Sequence, residues 1–110
     1  MGLDCFWVKS QVVELEFDPP LNLCGGLFSS SGSGSFRGKA YDQLIEDLTG
    51  NSLYERLTNG TVREIAEILR DTWYNEELGK EYDITEQEFK DLTRMFEVYA
   101  EEGCALEPWY

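Results

Sequence analysis

The chain predicts an α+β fold: a small N-terminal antiparallel hairpin or sheet packed against three or four helices in a single domain. Three observations carry that expectation. The first 18 residues hold two short runs of strand character, three Ser/Thr-x-x-Glu boxes punctuate the second half, and apolar residues there recur at helical spacing. Strands followed by helices, without alternation, is the order expected when helices cover one face of a sheet. At 110 residues the chain has the length of one core, and no internal repeat divides it.

Residues 3–8 are apolar apart from Asp4, and residues 11–18 alternate, with Val13, Leu15 and Phe17 on one side and Glu14 and Glu16 on the other. Both segments read as strands. The Lys9-Ser10 link predicts an antiparallel hairpin, and Pro19-Pro20 ends the second strand by removing ladder donors. Residues 24–39 then read as a Gly/Ser-rich loop. Tyr41, Leu44, Ile45 and Leu48 share one helical face, predicting a helix over 40–49 that Gly50 terminates.

Each Ser/Thr-x-x-Glu box lets side chains satisfy backbone donors at a helix start. Ser52 with Glu55 predicts a short helical turn over 53–58, stopped by Asn59-Gly60. Thr61 with Glu64 predicts a helix over 62–77, with Ile65, Ile68, Leu69, Thr72 and Trp73 on its inner stripe. Thr85 with Glu88 predicts a helix over 86–102, with Phe89, Leu92, Met95, Phe96 and Tyr99 inward and Gly103 at its close. The tail 103–110 ends in Trp109 and Tyr110, which either fold back or contribute to an interface. The tail, or the stretch 21–28, is the source of any third strand.

Composition narrows the function. The formal charge is −13, from 22 acidic and 9 basic residues, and residues 76–110 hold eleven of those acids against three bases. Such a field repels nucleic-acid phosphate and anionic lipid and attracts basic partners. No stretch approaches the length of a membrane span and no basic-then-apolar leader opens the chain, so a cytoplasmic protein is expected. Cys5, Cys24 and Cys104 are odd in number and share no metal-ligand spacing, which reads as reduced thiols.

Catalytic material is sparse. The chain has no His, so the commonest general base, nucleophile partner and metal ligand is missing. Glu67 with Asp71 and Glu97 with Glu101 have helical spacing, but in so acidic a chain they read as solvated faces. Cys24 lacks a neighbouring cation to lower its pKa. No enzyme, cofactor or metal site is expected.

Two segments remain as candidate binding sites. The Gly/Ser loop, with Ser33, Ser35, Arg37 and Lys39, reads either as a surface loop or as a cradle for a small anion. Walker A spacing fails there, because five residues separate Gly32 from Gly38 and Ala40 follows Lys39. The other candidate is an acidic surface of Glu76, Glu77, Glu81, Asp83, Glu86, Glu88 and Asp91, with Trp109 and Tyr110 as aromatic anchors. The acidity serves either solubility or binding. On the binding reading the protein is a small non-enzymatic inhibitor or adaptor that occupies a basic, nucleic-acid-binding surface of a partner protein, as a nucleic-acid mimic would.

Overall fold

A computed structural model describes residues 3–23 and 35–109. Its sheet is built around β1 (Asp4–Val8), which pairs antiparallel on one side with β2 (Ser35–Arg37) and on the other with β3 (Ala105–Trp109). Residues paired across an antiparallel ladder share a face, so Cys5 with Phe36, and Trp7 with Leu106, point the same way. That face is the core face. The helices α1 (Asp42–Thr49), α2 (Asn59–Asp71), α3 (Glu76–Tyr82) and α4 (Glu86–Glu101) complete the α+β fold.

Aromatic packing ties sheet to helix. The Trp7 ring lies parallel to Tyr99 of α4 at 4.7 Å between centroids, meets Phe96 edge-on at 5.0 Å and lies 5.9 Å from Phe36. Trp7 is wholly buried, and its Nε1 has no hydrogen-bond partner among the described residues. Among the described residues, packing area and ring geometry hold it. Gly38, in a 3-10 turn over Gly38–Ala40, lets the backbone pass close to β1. A Cβ there would stand 2.5 Å from Cys5 Sγ and 2.9 Å from Leu3 Cδ2. Among the described residues no helix is long and apolar enough to cross a membrane.

Several sequence expectations need correcting. Residues 11–18 are no strand: their backbone pairs with β1 at the isolated Val8–Val12 bridge and through the Val13 N–H, which donates to Trp7 O at 2.8 Å. β2 occupies the flank of β1 that a hairpin would have used, and it comes from 35–37, inside the predicted loop. The facing was nonetheless as the alternation implies, with Val13, Leu15 and Phe17 packed on the core. Residues 10–23 form a strap held by single bonds. Leu15 N–H donates to Tyr99 OH at 3.0 Å, Asn22 N–H to Asp91 Oδ2 at 2.8 Å, and Arg94 to Pro19 O at 2.6 Å.

The helix expected over 53–58 is a turn. Ser52 Oγ accepts from Tyr54 N–H at 3.1 Å, but Leu57 is drawn out of helical conformation by two 2.9 Å hydrogen bonds with Leu106 of β3. Asn59-Gly60, expected to be a stop, forms the first turn of α2 with Thr58 as its cap. Asn59 Nδ2 donates to Ala100 O and Cys104 O, both at 3.0 Å, so it satisfies carbonyls at the end of α4. At the other end α2 stops at Asp71, and the remainder of the expected 62–77 helix is an extended link followed by α3. α4 agrees with expectation within a residue, and Glu88 N–H donates to Thr85 Oγ1 at 3.1 Å. The tail supplies β3, as one of the two sources considered.

Candidate functional site

The expected acidic residues divide into two sets. Glu76, Glu77 and Glu81 on α3, Asp83 in the following turn and Glu86 at the start of α4 are all exposed. Glu76, Glu77, Glu81 and Asp83 have no ion pair among the described residues, while Glu86 meets Lys90 at 3.7 Å. Glu88 is half-buried and accepts from Tyr41 OH at 2.5 Å. Asp91 is only 4% exposed, and its expected place on a partner surface is corrected: it is a clamp. Its carboxylate receives Asn22 N–H and Gln87 Nε2 (3.2 Å) and pairs with Arg94 at 3.4 Å. A buried carboxylate needs such partners to offset its desolvation.

Local chemistry explains why α3 presents its acids outward. Asn75 caps it, with Oδ1 accepting from Leu78 N–H at 2.9 Å, and Glu76 and Glu77 lie at its positive N-terminal end. Asp83 closes it in the left-handed region, at φ 52°. No residue of the helix is fully buried. Tyr82 ties it to α1 by donating to Asp47 Oδ2 at 2.6 Å, and these carboxylates, Asp47 first and then Glu81, hold the phenol above its ordinary pKa.

Beside this acidic face lies an apolar groove of about 400 Å³ between the end of α2 and the first half of α4. Leu69 and Phe89 line it, with Trp73 and Tyr74 from the α2–α3 link and Arg70 and Lys90 as its cations. Both cations already have carboxylate partners on their own helices, Arg70 with Asp71 at 3.5 Å and Lys90 with Glu86. Tyr74 also borders an acidic cleft of about 490 Å³ that includes Glu76, Asp83 and Glu86, so the two depressions adjoin. The Tyr74 ring lies 6.0 Å from Phe89 and its OH donates to Ile84 O at 2.7 Å. Gly79 leaves room for it: a Cβ there would collide with the phenol oxygen and come within 2.9 Å of Cζ.

Trp73 is 88% exposed, the most exposed large apolar side chain described. The expectation that it faces inward on a continuous helix is corrected, because Thr72 leaves helical conformation (φ −89°, ψ 128°) and breaks the phase. The sequence signal that would have placed it is Asn75-Glu76-Glu77, a helix start that forces α2 to end earlier. Trp109, expected to anchor the acidic surface, lies on β3, 59% exposed and edge-on to Phe6 at 5.5 Å. Tyr110 lies outside the described residues.

The anion-cradle candidate is mostly outside them as well, since Ser33, Cys24 and the glycines before Gly38 are not described. Ser35 is wholly buried in β2. Arg37 is exposed and stands opposite Asp4 across the ladder, and Lys39 is exposed in the 3-10 turn with its N–H donating to Leu3 O at 3.3 Å. Among the described residues, no group of three or more Cys, Asp or Glu side chains is disposed to hold a metal ion. Glu67, Glu97 and Glu101 border a third depression together with Arg63 and Arg70, so carboxylates and cations alternate there. Cys5 and Cys104 are free and buried, and burial pushes the Cys5 thiol up to about 12. Such a thiol is a poor nucleophile near neutrality.

Comparison of the chain with protein-family models, with curated proteins and with solved structures finds no match.

Proposed function

We propose that this protein is a small, acidic, non-enzymatic binding protein that engages a basic surface of a partner protein. The observation that carries the reading is the run of exposed, largely unpaired carboxylates on α3 and at the start of α4, with the exposed Trp73 beside it. A charged rim around an aromatic anchor is the composition of protein interfaces. The carboxylates steer a cationic partner toward the surface, and docking then depends on contacts at short range. Where the partner's basic surface ordinarily takes nucleic-acid phosphate, occupancy alone inhibits it, and no bond is made or broken.

The test is recovery of partners from lysate at low and at high salt, using the native protein and a variant carrying Glu76→Gln, Glu77→Gln, Glu81→Gln, Asp83→Asn and Glu86→Gln. A basic partner retained at low salt, released at high salt and absent for the variant supports the reading. Equal recovery by both proteins refutes it.

A further inference from the structure

We infer that the groove between α2 and α4 seats a bulky apolar side chain of a basic amphipathic peptide segment, whose flanking Lys or Arg residues meet the adjoining acidic cleft. The inference rests on the proposed binding function and names its partner chemistry.

Four features favour this occupant. The groove, at about 400 Å³, has the size of a ligand site, and Leu69, Trp73, Tyr74 and Phe89 form its apolar wall beside two threonines and two basic residues. Trp73 stands at its lip with 88% of its surface in water, so an incoming apolar group gains area from both the groove and the indole. The wall is fixed before binding, because the Tyr74 hydroxyl is bonded to Ile84 O and its ring passes α3 only where Gly79 lacks a side chain. Less ordering is then required on association.

Charge decides the sign of the partner. Arg70 and Lys90 give the groove two cations, but Asp71 and Glu86 already pair with them, and residues 70–90 hold seven acids against three bases. An anionic amphiphile would meet net repulsion there, whereas cations flanking an apolar anchor meet Glu76 and Asp83 across Tyr74, in a cleft whose lining holds three acids against Lys80. An amphipathic helix laid in an apolar groove, with its polar edge on a charged bank, is a recurring mode of peptide recognition.

The probe is a synthetic peptide of Phe, Leu and Lys patterned as an amphipathic helix, with a charge-matched control in which Ser replaces every Phe and Leu. Binding is read by fluorescence anisotropy and by backbone amide shifts. The apolar peptide should bind at least tenfold more tightly than the control and should shift amides at Leu69, Trp73, Tyr74 and Phe89. Trp73→Ala and Thr93→Arg, the second to fill the groove, should each weaken it at least tenfold in proteins whose spectra show the native fold. If the two peptides bind equally and neither substitution matters, the groove inference is overturned while the acidic-surface reading survives. Failure of both peptides at low salt overturns both. Binding of dodecanoate in place of the peptide, lost on Arg70→Ala and Lys90→Ala, or a Trp73-dependent dimer by light scattering, assigns the groove to another occupant and overturns the inference.

Discussion

α3 and α4 are consecutive acidic helices, and they differ in how much of each is buried and in where some of their carboxylates point. α4 buries seven of its residues, among them Asp91, and Phe96 and Tyr99 close on Trp7 of the sheet. α3 buries none fully: Leu78 and Tyr82 pack partly on the core, and Tyr82 donates to Asp47 of α1. Acidic composition alone therefore does not mark a binding face. What separates Glu88 and Asp91 of α4 from Glu76, Glu77 and Asp83 is a donor inside the molecule: the first two accept from Tyr41 and from Asn22, while the other three face solvent, as Glu97 and Glu101 do on the outer side of α4.

The largest test of that contrast is removal of an α4 ring. Phe96→Ala should lower unfolding free energy by about 3–5 kcal/mol, through lost apolar transfer and the cavity left among Trp7 and Phe36. Glu77→Ala on α3 should stay within about 0.5 kcal/mol, as exposed substitutions do. Urea denaturation of both variants makes the comparison, and similar losses from the two would break it.

The next effect distinguishes carboxylates. Asp91→Ala should cost about 2–3 kcal/mol, because it strands the Asn22 N–H and removes the partner of Arg94. Asp83→Asn should cost almost nothing, since Asn tolerates the left-handed conformation found there. Hydrogen exchange adds a local reading: Asn22 should lose protection in the Asp91 variant while amides of the α4 interior lose less. Retained protection at Asn22 would show that the strap is held without Asp91, by its apolar side chains and its remaining bonds to Trp7, Tyr99 and Arg94.

The difference between these residues also explains what could be read from the sequence. The faces of α1 and α4 were legible because periodicity and end signals are local and agree. The partners of β1 were not, because alternation in 11–18 sets which side chains face inward but not which segment pairs with the strand. Residues 35–37 and 105–109, remote in the chain, took both flanks. Asn59-Gly60 reads locally as a turn, and its place in the first turn of α2 goes with Asn59 satisfying carbonyls at the end of α4, a contact remote in the chain. Asp91 did carry a local signal: it lies four residues before Met95, on the buried side of α4, where a carboxylate needs partners.

Two groups with raised pKa values, one in the core and one on α3, test the same contrast in alkali. The Cys5 thiol is raised chiefly by burial, from 9.0 to about 12, with smaller contributions from Asp4 and Asp42. The unfolded chain ionises first. Stability from this group is therefore complete below about pH 9 and is lost as pH rises toward 12. Cys5→Ala should flatten that decline. Tyr82 is also raised, by its bonds to Asp47 and Glu81, but solvent screens an exposed phenol, so Tyr82→Phe should leave the alkaline slope nearly unchanged. Denaturation midpoints measured between pH 8 and 11 check both, and equal flattening by the two substitutions would erase the distinction.

A small effect on stability is also expected at Trp73. An indole 88% exposed contributes little to the core, so Trp73→Ala should shift unfolding free energy by less than about 0.5 kcal/mol. Its absence should nevertheless be conspicuous in fluorescence. Trp7 is wholly buried and Trp109 is 59% exposed, so removing Trp73 takes away the most accessible of the three fluorophores. Acrylamide quenching should fall accordingly, while the blue-shifted emission of Trp7 persists. A loss of about 2 kcal/mol or more, or unchanged quenching, would mean that Trp73 packs on the protein in solution, and the boundary between the structural α4 and the outward-facing α3 region would have to be redrawn to exclude it.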